Sequence, residues 1–504
     1  MESNDSKTQN TQTERLGVSM ENVYKMFVQG KWIESESGKL IPVENPATEE
    51  IIGFVQKGTA RDVDQAVKAA ASVKKMYKHT TIEQRLELLH NIADEIEAVH
   101  EEIGKVLSME QGKPYYTEGY YEAKGLYKEF HQAAEDLMRF NGKILPSAVG
   151  ENKVYIEREA DGVYAVITPW NYPLSMPMQY IAPGLATGNV IVYKPASYTP
   201  ISSVLFVEAL VKGIEKTGLS TDIFQFVTGS GGEVGNAMVS HPLVNGIGFT
   251  GENITGKNIV ANAGLKKIIL EMGGNGPEIV LEDADLKAAA EGAAAGILEN
   301  AGQICCGTER IFVHRSVKDE FIGYLKKIFE EVKMGNPLDE STTMGPICNE
   351  PGVAKMEAQV KEAVEKGAVL VCGGKRAPQY GSKLFFEPTI LDGVTKDMDV
   401  YKEETFGPIA PITVFDTEEE ALEMANASIF GLTKCVYTQS IKKANYFVSR
   451  LECGFVTVNA TTNYYERHIP FGGTTGSETG WGRVGGMFAM EQMTHTKTVV
   501  YGME

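Results

Sequence analysis

Lys267-Ile-Ile-Leu-Glu-Met-Gly-Gly-Asn-Gly-Pro-Glu-Ile-Val-Leu281 is the stretch that decides the fold of this chain. It contains two short apolar runs, residues 267–270 and 278–281, with a turn rich in glycine between them. A short apolar run bounded by turn residues is typical of a buried strand in a parallel sheet. We therefore predict that one α/β unit ends and a second begins near Gly273-Gly274.

The segments on either side of this turn repeat the same alternation of apolar runs and helical patterns. Upstream, the predicted strands cover residues 162–167, 189–193, 223–227 and 246–249. Downstream, residues 286–300 and 317–332 have helical spacing on either side of an apolar run at 310–313. Alternating strands and helices predict parallel sheets with crossover helices, which is the α/β class.

Near the N-terminal end, two further helical patterns are expected. Residues 62–77 have apolar side chains at helical spacing, and residues 82–107 form one long amphipathic stretch. Thr80 and Glu83 stand three residues apart ahead of that stretch, as in a capping box.

Composition and charge exclude several classes of protein. The chain has 504 residues, which at roughly 150 residues per domain predicts two or three domains. Its formal charge of −19, without a block of Lys and Arg, argues against binding to nucleic acid or to an anionic membrane surface. No apolar stretch approaches the ~20 residues that span a bilayer. The six cysteines form no CxxC pair, so we expect no metal site and a reducing, cytoplasmic location.

Three segments carry residue types suited to catalysis. Cys305 follows a glycine-containing bend, where we expect its sulfur to be reachable and ionised, although a lone cysteine is more often buried and inert. Glu271 ends an apolar run before two glycines, where a partly desolvated carboxylate can act as a general base. Prolines on both sides of Asn171 can fix its amide as a donor to a developing oxyanion.

Two more segments suggest a nucleotide site. Lys194 ends an apolar run, and ligands of open α/β sheets gather at the carboxyl ends of strands. The glycine-rich stretch 229–235 follows another run, but valine replaces the third glycine of GxGxxG, so as a dinucleotide fingerprint it is weak.

Together, these motifs and their order resemble the aldehyde dehydrogenase superfamily, from about Val23 to Val500. The segments that carry the resemblance are Thr168-Pro-Trp-Asn-Tyr-Pro173, Lys194-Pro-Ala-Ser197, Phe249-Thr-Gly251, Leu270-Glu-Met-Gly-Gly274, Gly302-Gln-Ile-Cys305, Glu403-Glu-Thr-Phe-Gly-Pro408 and Pro470-Phe-Gly-Gly473.

The resemblance implies an α/β fold of two α/β domains, one cofactor-binding and one catalytic, with a small β oligomerisation arm. The implied division is a flexible tail at 1–20, a cofactor-binding domain at 21–141 and 162–273, a catalytic domain at 274–490, and an arm at 142–161 and 491–504. Such an arm exposes strand edges, so we expect a homo-oligomer, either a dimer or a homotetramer.

By the same resemblance, Cys305 is the nucleophile, and Asn171 and the Cys305 backbone N–H form the oxyanion hole. Glu271 activates the water that releases the acid. The implied contacts to NAD or NADP come from Thr168, Trp170, Lys194, Ser197, Gly231, Gly251, Glu252, Glu404 and Phe406.

Departures from the family pattern bear on the cofactor. NAD-preferring members often have Glu three residues after the lysine, whereas this chain has Ser197, which can donate to a 2′-phosphate beside Lys194. We therefore expect NADP to be favoured. Glu252 replaces a serine common near the pyrophosphate, and a two-residue insertion within 473–483 removes a common lysine from a loop of unassigned role.

The expected substrate is a small polar aldehyde, either a hydroxy-aldehyde or a semialdehyde. The implied pocket residues are Tyr121, Tyr172, Ser175, Met176, Gln179, Ile304 and Tyr465, with Asn463, Arg467 and His468 nearby. Three alternatives stay open: an aromatic aldehyde dehydrogenase, a CoA-acylating member of the family, and a cysteine esterase of another class.

Overall fold

The computed structural model describes residues 22–503, and the predicted tail at 1–20 lies outside them. The described chain forms two seven-stranded sheets and two three-stranded sheets, covered by helices. The predicted α/β class is confirmed. None of the helices in the described part of the chain is long and apolar enough to cross a membrane.

The first large sheet has the strand order β12-β11-β8-β9-β10-β2-β3. All its pairings are parallel except those of β2 with β10 and with β3. Its strands are β2 (Met26–Val28), β3 (Lys31–Ile33), β8 (Val163–Ile167), β9 (Val190–Lys194), β10 (Phe224–Phe226), β11 (Gly246–Thr250) and β12 (Lys267–Glu271).

The second large sheet has the order β15-β16-β17-β14-β13-β18-β19 and is parallel except between β15 and β16. Its strands are β13 (Gly276–Val280), β14 (Thr308–His314), β15 (Val369–Cys372), β16 (Thr389–Asp392), β17 (Ile409–Phe415), β18 (Thr433–Tyr437) and β19 (Phe455–Val458). Residues 272–275 connect β12, at the edge of the first sheet, to β13, inside the second.

The two small sheets are at the N-terminal segment and at the predicted arm. The first joins β1 (Val23–Tyr24), β4 (Leu40–Asn45) and β5 (Glu50–Gln56). The second joins β6 (Lys143–Leu145), β7 (Lys153–Ala160) and β20 (Thr494–Tyr501) in antiparallel pairs. Strand β6 lies at the edge of its sheet, where Ile144 is 74% exposed.

Fifteen α-helices are described between residues 22 and 503. In chain order, α1 to α15 are Ala60–Lys78, Ile82–Glu97, His100–Gln111, Tyr120–Leu137, Ser175–Ala186, Ile201–Lys216, Asn236–Ser240, Asn253–Asn262, Leu286–Leu298, Lys318–Glu330, Glu350–Glu365, Asp399–Lys402, Glu418–Asn426, Ile441–Val448 and Gly486–Gln492. Apolar faces of these helices and both faces of the large sheets form the hydrophobic cores.

The single long helix expected at 82–107 was wrong. The chain forms two helices there, α2 and α3, because Val99 leaves the helical conformation between them. The capping box was placed one residue too early: Thr81 and Gln84 form it. The Thr80 hydroxyl instead donates to the Tyr77 carbonyl and closes the preceding helix.

Candidate active site

The three predicted catalytic residues line one cavity of about 270 Å³. Glu271 is the last residue of β12, and Asn171 lies four residues after β8. Cys305 follows a short 3-10 turn at 299–302, ahead of β14. Parallel strands end at the same edge of a sheet, and the pairing of Thr250 with Glu271 shows that β11 and β12 end level.

The turn before Cys305 has an unusual backbone. Asn300, Ala301 and Gly302 all have positive φ values, of 51°, 52° and 77°. A Cβ atom at 302 would lie 2.3 Å from the carbonyl of Gly407, so only glycine fits there. This turn leaves the Cys305 side chain partly exposed, whereas Cys306 is buried. Of the two neighbouring thiols, Cys305 is the reachable one.

The surroundings of Cys305 disfavour the ionised sulfur that the sequence led us to expect. The neighbouring Cys306, burial and the nearby Glu271 together raise the pKa of the Cys305 thiol well above its usual value. A base must therefore take its proton before it can attack an aldehyde.

Glu271 has the environment of a base. Its side chain is 1% exposed, and burial raises its pKa to about 8, against a smaller opposing effect of Cys305. Neither carboxylate oxygen has a hydrogen bond of normal length among the described residues. A carboxylate in this setting binds a proton more tightly than one in water, so it can accept one from a thiol or a water molecule.

Asn171 is buried and firmly held. Its side-chain amide donates to the Gln303 carbonyl at 2.9 Å. The backbone carbonyl of Asn171 accepts from Lys113 Nζ at 2.9 Å and from Asn300 Nδ2 at 3.0 Å. The amide is therefore beside the cysteine turn, with little freedom to reorient.

Five of the predicted cofactor residues share the cavity with Cys305: Trp170, Gly251, Glu252, Glu404 and Phe406. The rings of Trp170 and Phe406 lie edge to face, with centroids 5.6 Å apart. Glu404 accepts a hydrogen bond from the Gly274 backbone N–H, and Glu252 is exposed at the start of α8.

The other four, Thr168, Lys194, Ser197 and Gly231, lie away from that cavity on neighbouring strand ends and loops. Lys194 is buried at the end of β9, where burial lowers its pKa to about 8. The Ser197 hydroxyl donates to the Gly229 carbonyl at 3.2 Å, which brings Ser197 beside the glycine-rich stretch. Gly231 is exposed there, with open space around its Cα.

This arrangement fits a nicotinamide dinucleotide. The aromatic pair and Cys305 are at one end, and hydroxyl, ammonium and open glycine backbone are at the other. Glu404 accepts from the Gly274 N–H and lines the same cavity as the aromatic pair, where a carboxylate can accept from ribose hydroxyls.

Glu309 was missed by sequence reasoning, although it holds the loop that carries Glu404 and Phe406. Its buried carboxylate accepts from the N–H groups of Thr405 and Phe406 at 2.7 and 2.9 Å. Phe406 has φ 60°, a conformation that needs such support. Because Thr308, Arg310 and His314 also lie in β14, the sequence carried no signal that singled Glu309 out.

A second cavity of about 540 Å³ lies beside the first and shares Tyr172 with it. Four of the residues predicted for the substrate pocket, Tyr121, Tyr172, Ser175 and Tyr465, line this cavity. Gln179 is buried behind it, hydrogen-bonded to the Tyr465 hydroxyl.

Two pocket predictions differ from the structure. Ile304 is buried in the hydrophobic core and lines neither cavity, because the turn at 299–302 directs it inward. Met176 lines the cavity of Cys305 instead.

Charged side chains were largely missed in this second cavity. Lys113, Arg467, Glu118, Glu122, Glu129 and Glu299 all line it. Arg467 Nε lies 3.2 Å from Glu129, so this cation is already paired. Glu299 accepts from the Tyr172 hydroxyl at 2.7 Å and from the Asn463 amide, while His468 is exposed.

The inserted loop lies along the strand that ends in Glu271. Leu270 N–H donates to the Trp481 carbonyl and Met272 N–H to the Thr479 carbonyl, each at 2.9 Å. The buried Thr479 hydroxyl donates to the Gly273 carbonyl at 2.9 Å. The loop therefore acts as an additional edge for β12 on both sides of Glu271.

Comparison with known proteins gives a consistent result. Residues 32–499 match the model of the aldehyde dehydrogenase family. The chain is 37% identical over 478 residues to a 3-sulfolactaldehyde dehydrogenase of Pseudomonas putida, which covers 94% of this chain and 96% of that protein. It is 35% identical to a succinate-semialdehyde dehydrogenase [NADP(+)] of Escherichia coli strain K12, over 95% of this chain and 97% of that protein.

A solved structure with the same fold is that of betaine aldehyde dehydrogenase from Staphylococcus aureus in complex with NAD+. It superposes with a TM-score of 0.90 at 33% identity, covering 95% of this chain and 94% of the other.

Proposed function

Because the chain belongs to the aldehyde dehydrogenase family, we propose that it oxidises a small polar aldehyde to the carboxylic acid with NADP or NAD, through a thioester on Cys305. The observation that carries this proposal is the single cavity shared by Cys305, Glu271 and Asn171. The names of relatives support the class of substrate, since one acts on a sulfolactaldehyde and another on a semialdehyde.

The residues divide the reaction between them. The Cys305 thiol passes its proton to solvent, which is the net proton that the oxidation releases, and the sulfur attacks the aldehyde carbon to give a thiohemiacetal. The Asn171 amide and the Cys305 backbone N–H donate to the oxyanion. Bound nicotinamide supplies the acceptor for the hydride that leaves when the thiohemiacetal becomes a thioester. Glu271 then deprotonates a water molecule, which releases the acid and restores the thiol.

The first test is a rapid-mixing assay of NADPH formation with lactaldehyde. The parent enzyme should give a steady rate of NADPH formation, and Cys305→Ala should give none above background. Cys306→Ala is the control for the neighbouring thiol, because Cys306 is buried and does not line the cavity; it should keep turnover. Retained turnover in Cys305→Ala, or none in the parent enzyme, would refute the proposal.

We propose that NADP is the favoured cofactor. Ser197 lies beside the glycine-rich stretch, where a carboxylate would repel a 2′-phosphate and a hydroxyl can donate to it. Ser197→Glu should therefore lower kcat/KM for NADP at least tenfold and leave that for NAD within about threefold. A parent enzyme that strongly prefers NAD would contradict this assignment.

For the aldehyde, we propose a hydroxy-aldehyde or a semialdehyde. The second cavity has hydroxyl groups from Tyr121, Tyr172, Ser175 and Tyr465, and charged groups around them. Long alkyl chains gain little from such a lining, because its polar groups would lose water without new partners. The panel should rank glyceraldehyde, lactaldehyde and succinic semialdehyde above hexanal in kcat/KM, and the opposite order would end this proposal.

We further propose a cytoplasmic homo-oligomer assembled through the β6–β7–β20 sheet. The exposed Ile144 on the edge strand β6 is the supporting feature, because an unpaired apolar edge favours pairing with another subunit. Light scattering of the purified protein measures its mass, and Ile144→Lys should shift it toward the monomer.

A further inference from the structure

The C-terminal end of α3 brings a buried cation next to the loop that carries Asn171. Lys113 has no exposed side-chain surface, and its Nζ lies 2.6 Å from Glu122, whose side chain is 3% exposed. The same Nζ donates to the Asn171 carbonyl at 2.9 Å and lies 3.8 Å from the centre of the Tyr172 ring. The ammonium group of Lys113, which has three N–H donors, therefore has three partners within the protein.

Glu122 fastens the other end of the same loop. Its second carboxylate oxygen accepts from the backbone N–H groups of Leu174 and Ser175, at 3.0 and 3.1 Å. These groups begin helix α5 and have no partners within the helix. Lys113 and Glu122 thus hold both ends of residues 171–175 through one ion pair.

The same segment also contacts the turn before Cys305. Gln111 donates to the side-chain oxygen of Asn300 at 2.7 Å and accepts from the Lys113 backbone N–H at 2.9 Å. Asn300 in turn donates to the Asn171 carbonyl. Residues 111–113 therefore connect two parts of the site. One is the Asn171 loop, which follows strand β8 of the first large sheet, and the other is the Cys305 turn, which precedes strand β14 of the second.

We propose that Lys113 is a positioning residue, which together with Glu122 sets the Asn171 amide against Cys305 for oxyanion stabilisation. This inference rests on the proposed function and adds a residue to it. Burial makes the ion pair sensitive to loss of one partner, since a single charge would remain without compensation. Removing the ammonium group leaves the Asn171 backbone carbonyl with Asn300 as its remaining donor. The amide can then move by the fractions of an ångström that reduce oxyanion stabilisation.

The main variant is Lys113→Met with Glu122→Gln. Glutamine still accepts from Leu174 and Ser175, and no buried charge stays unpaired, so the variant is expected to fold. Lys105→Met is the matched control, because Lys105 is an exposed lysine on α3, the helix that ends two residues before Lys113. Lys113→Arg tests rescue, since it keeps a cation beside Glu122 and the Asn171 carbonyl.

The readout is the rate of the first NADPH turnover together with the steady-state KM for the aldehyde. We expect the double variant to lose at least tenfold in the first-turnover rate with KM within about threefold of the parent. Lys105→Met should match the parent, and Lys113→Arg should recover to within about fivefold. A raised KM with an unchanged first-turnover rate would overturn the inference, because the ammonium group would then contact substrate instead.

A double-mutant cycle with Asn171→Ala decides whether Lys113 acts through Asn171. Once the amide is absent, adding the Lys113 and Glu122 changes should slow the first turnover by no more than about twofold. If the two losses multiply, the inference is wrong and the ion pair has only a general structural role. A parent enzyme without aldehyde-dependent NADPH formation would instead refute the proposed function, so the two failures are distinguishable.

Discussion

Replacing Thr479 with valine tests whether the inserted loop holds the strand that ends in Glu271. The valine has nearly the same shape but cannot form the two hydrogen bonds of the hydroxyl, to the Gly273 carbonyl at 2.9 Å and from the Gly431 N–H at 3.0 Å. Thr479 has no exposed surface, so water cannot replace either partner. At about 1–3 kcal/mol for each of the two buried groups left unpaired, the expected loss of stability is about 2–6 kcal/mol.

The catalytic effect should appear in one step only. Gly273 is two residues from Glu271, so a looser strand end displaces the base that activates water. Hydrolysis of the thioester should slow about tenfold while the first NADPH turnover stays near the parent rate, which gives a burst. Urea unfolding and rapid-mixing absorbance measure the two effects, and Thr479→Ser, which keeps the hydroxyl, should restore both. A valine variant as stable as the parent, and without a burst, would refute this reasoning.

Two further predictions concern the cysteine and its base. Glu271→Gln should retain thioester formation through other proton acceptors but slow thioester hydrolysis at least 100-fold. In the parent enzyme, turnover should rise as pH increases through about 8, where the Glu271 carboxyl ionises, and the variant should not show this rise. The raised pKa of Glu271 also affects stability: its contribution is fully present below the pKa of about 4.5 in the unfolded chain and is lost as pH rises through about 8. The Glu271→Gln variant should therefore gain stability relative to the parent at pH 8 but not at pH 4.5. Equal differences in melting temperature at the two pH values would contradict this. Gly302→Ala should abolish activity and destabilise the protein by at least about 2 kcal/mol, because φ is 77° at this residue and the added carbon would meet the Gly407 carbonyl at 2.3 Å. The control is Gly323→Ala, which places its added carbon in open space on α10 and should be neutral or slightly stabilising.

Most of the architecture was predictable from local patterns. The apolar runs at 162–167, 246–249 and 267–270 predicted strands that the structure has within a residue or two. Helix ends were less predictable: Val99 interrupts an amphipathic stretch whose periodicity continues past it. The domain division and the roles of the individual site residues stay predictions.

Side chains that support the site were not predictable, because their partners are distant in sequence. Lys113 contacts Asn171 across 58 residues, and Glu309 contacts Thr405 across 96. Neither residue stands out in its own segment, since a lysine after a helix or an acid in a strand has many ordinary roles. The raised pKa of the Cys305 thiol was only partly predictable, because the adjacent Cys306 contributes most to it, while burial and Glu271, which is remote in the chain, also raise it.

The sequence by itself determined the alternation of strands and helices and the order of the motifs, because these depend on periodicity and on short segments. Only the tertiary structure decided how the inserted loop, the end of α3 and the acid of β14 support those motifs. The physical reason is that hydrogen bonds and pKa values depend on distance and burial, which are set once the two sheets have packed together.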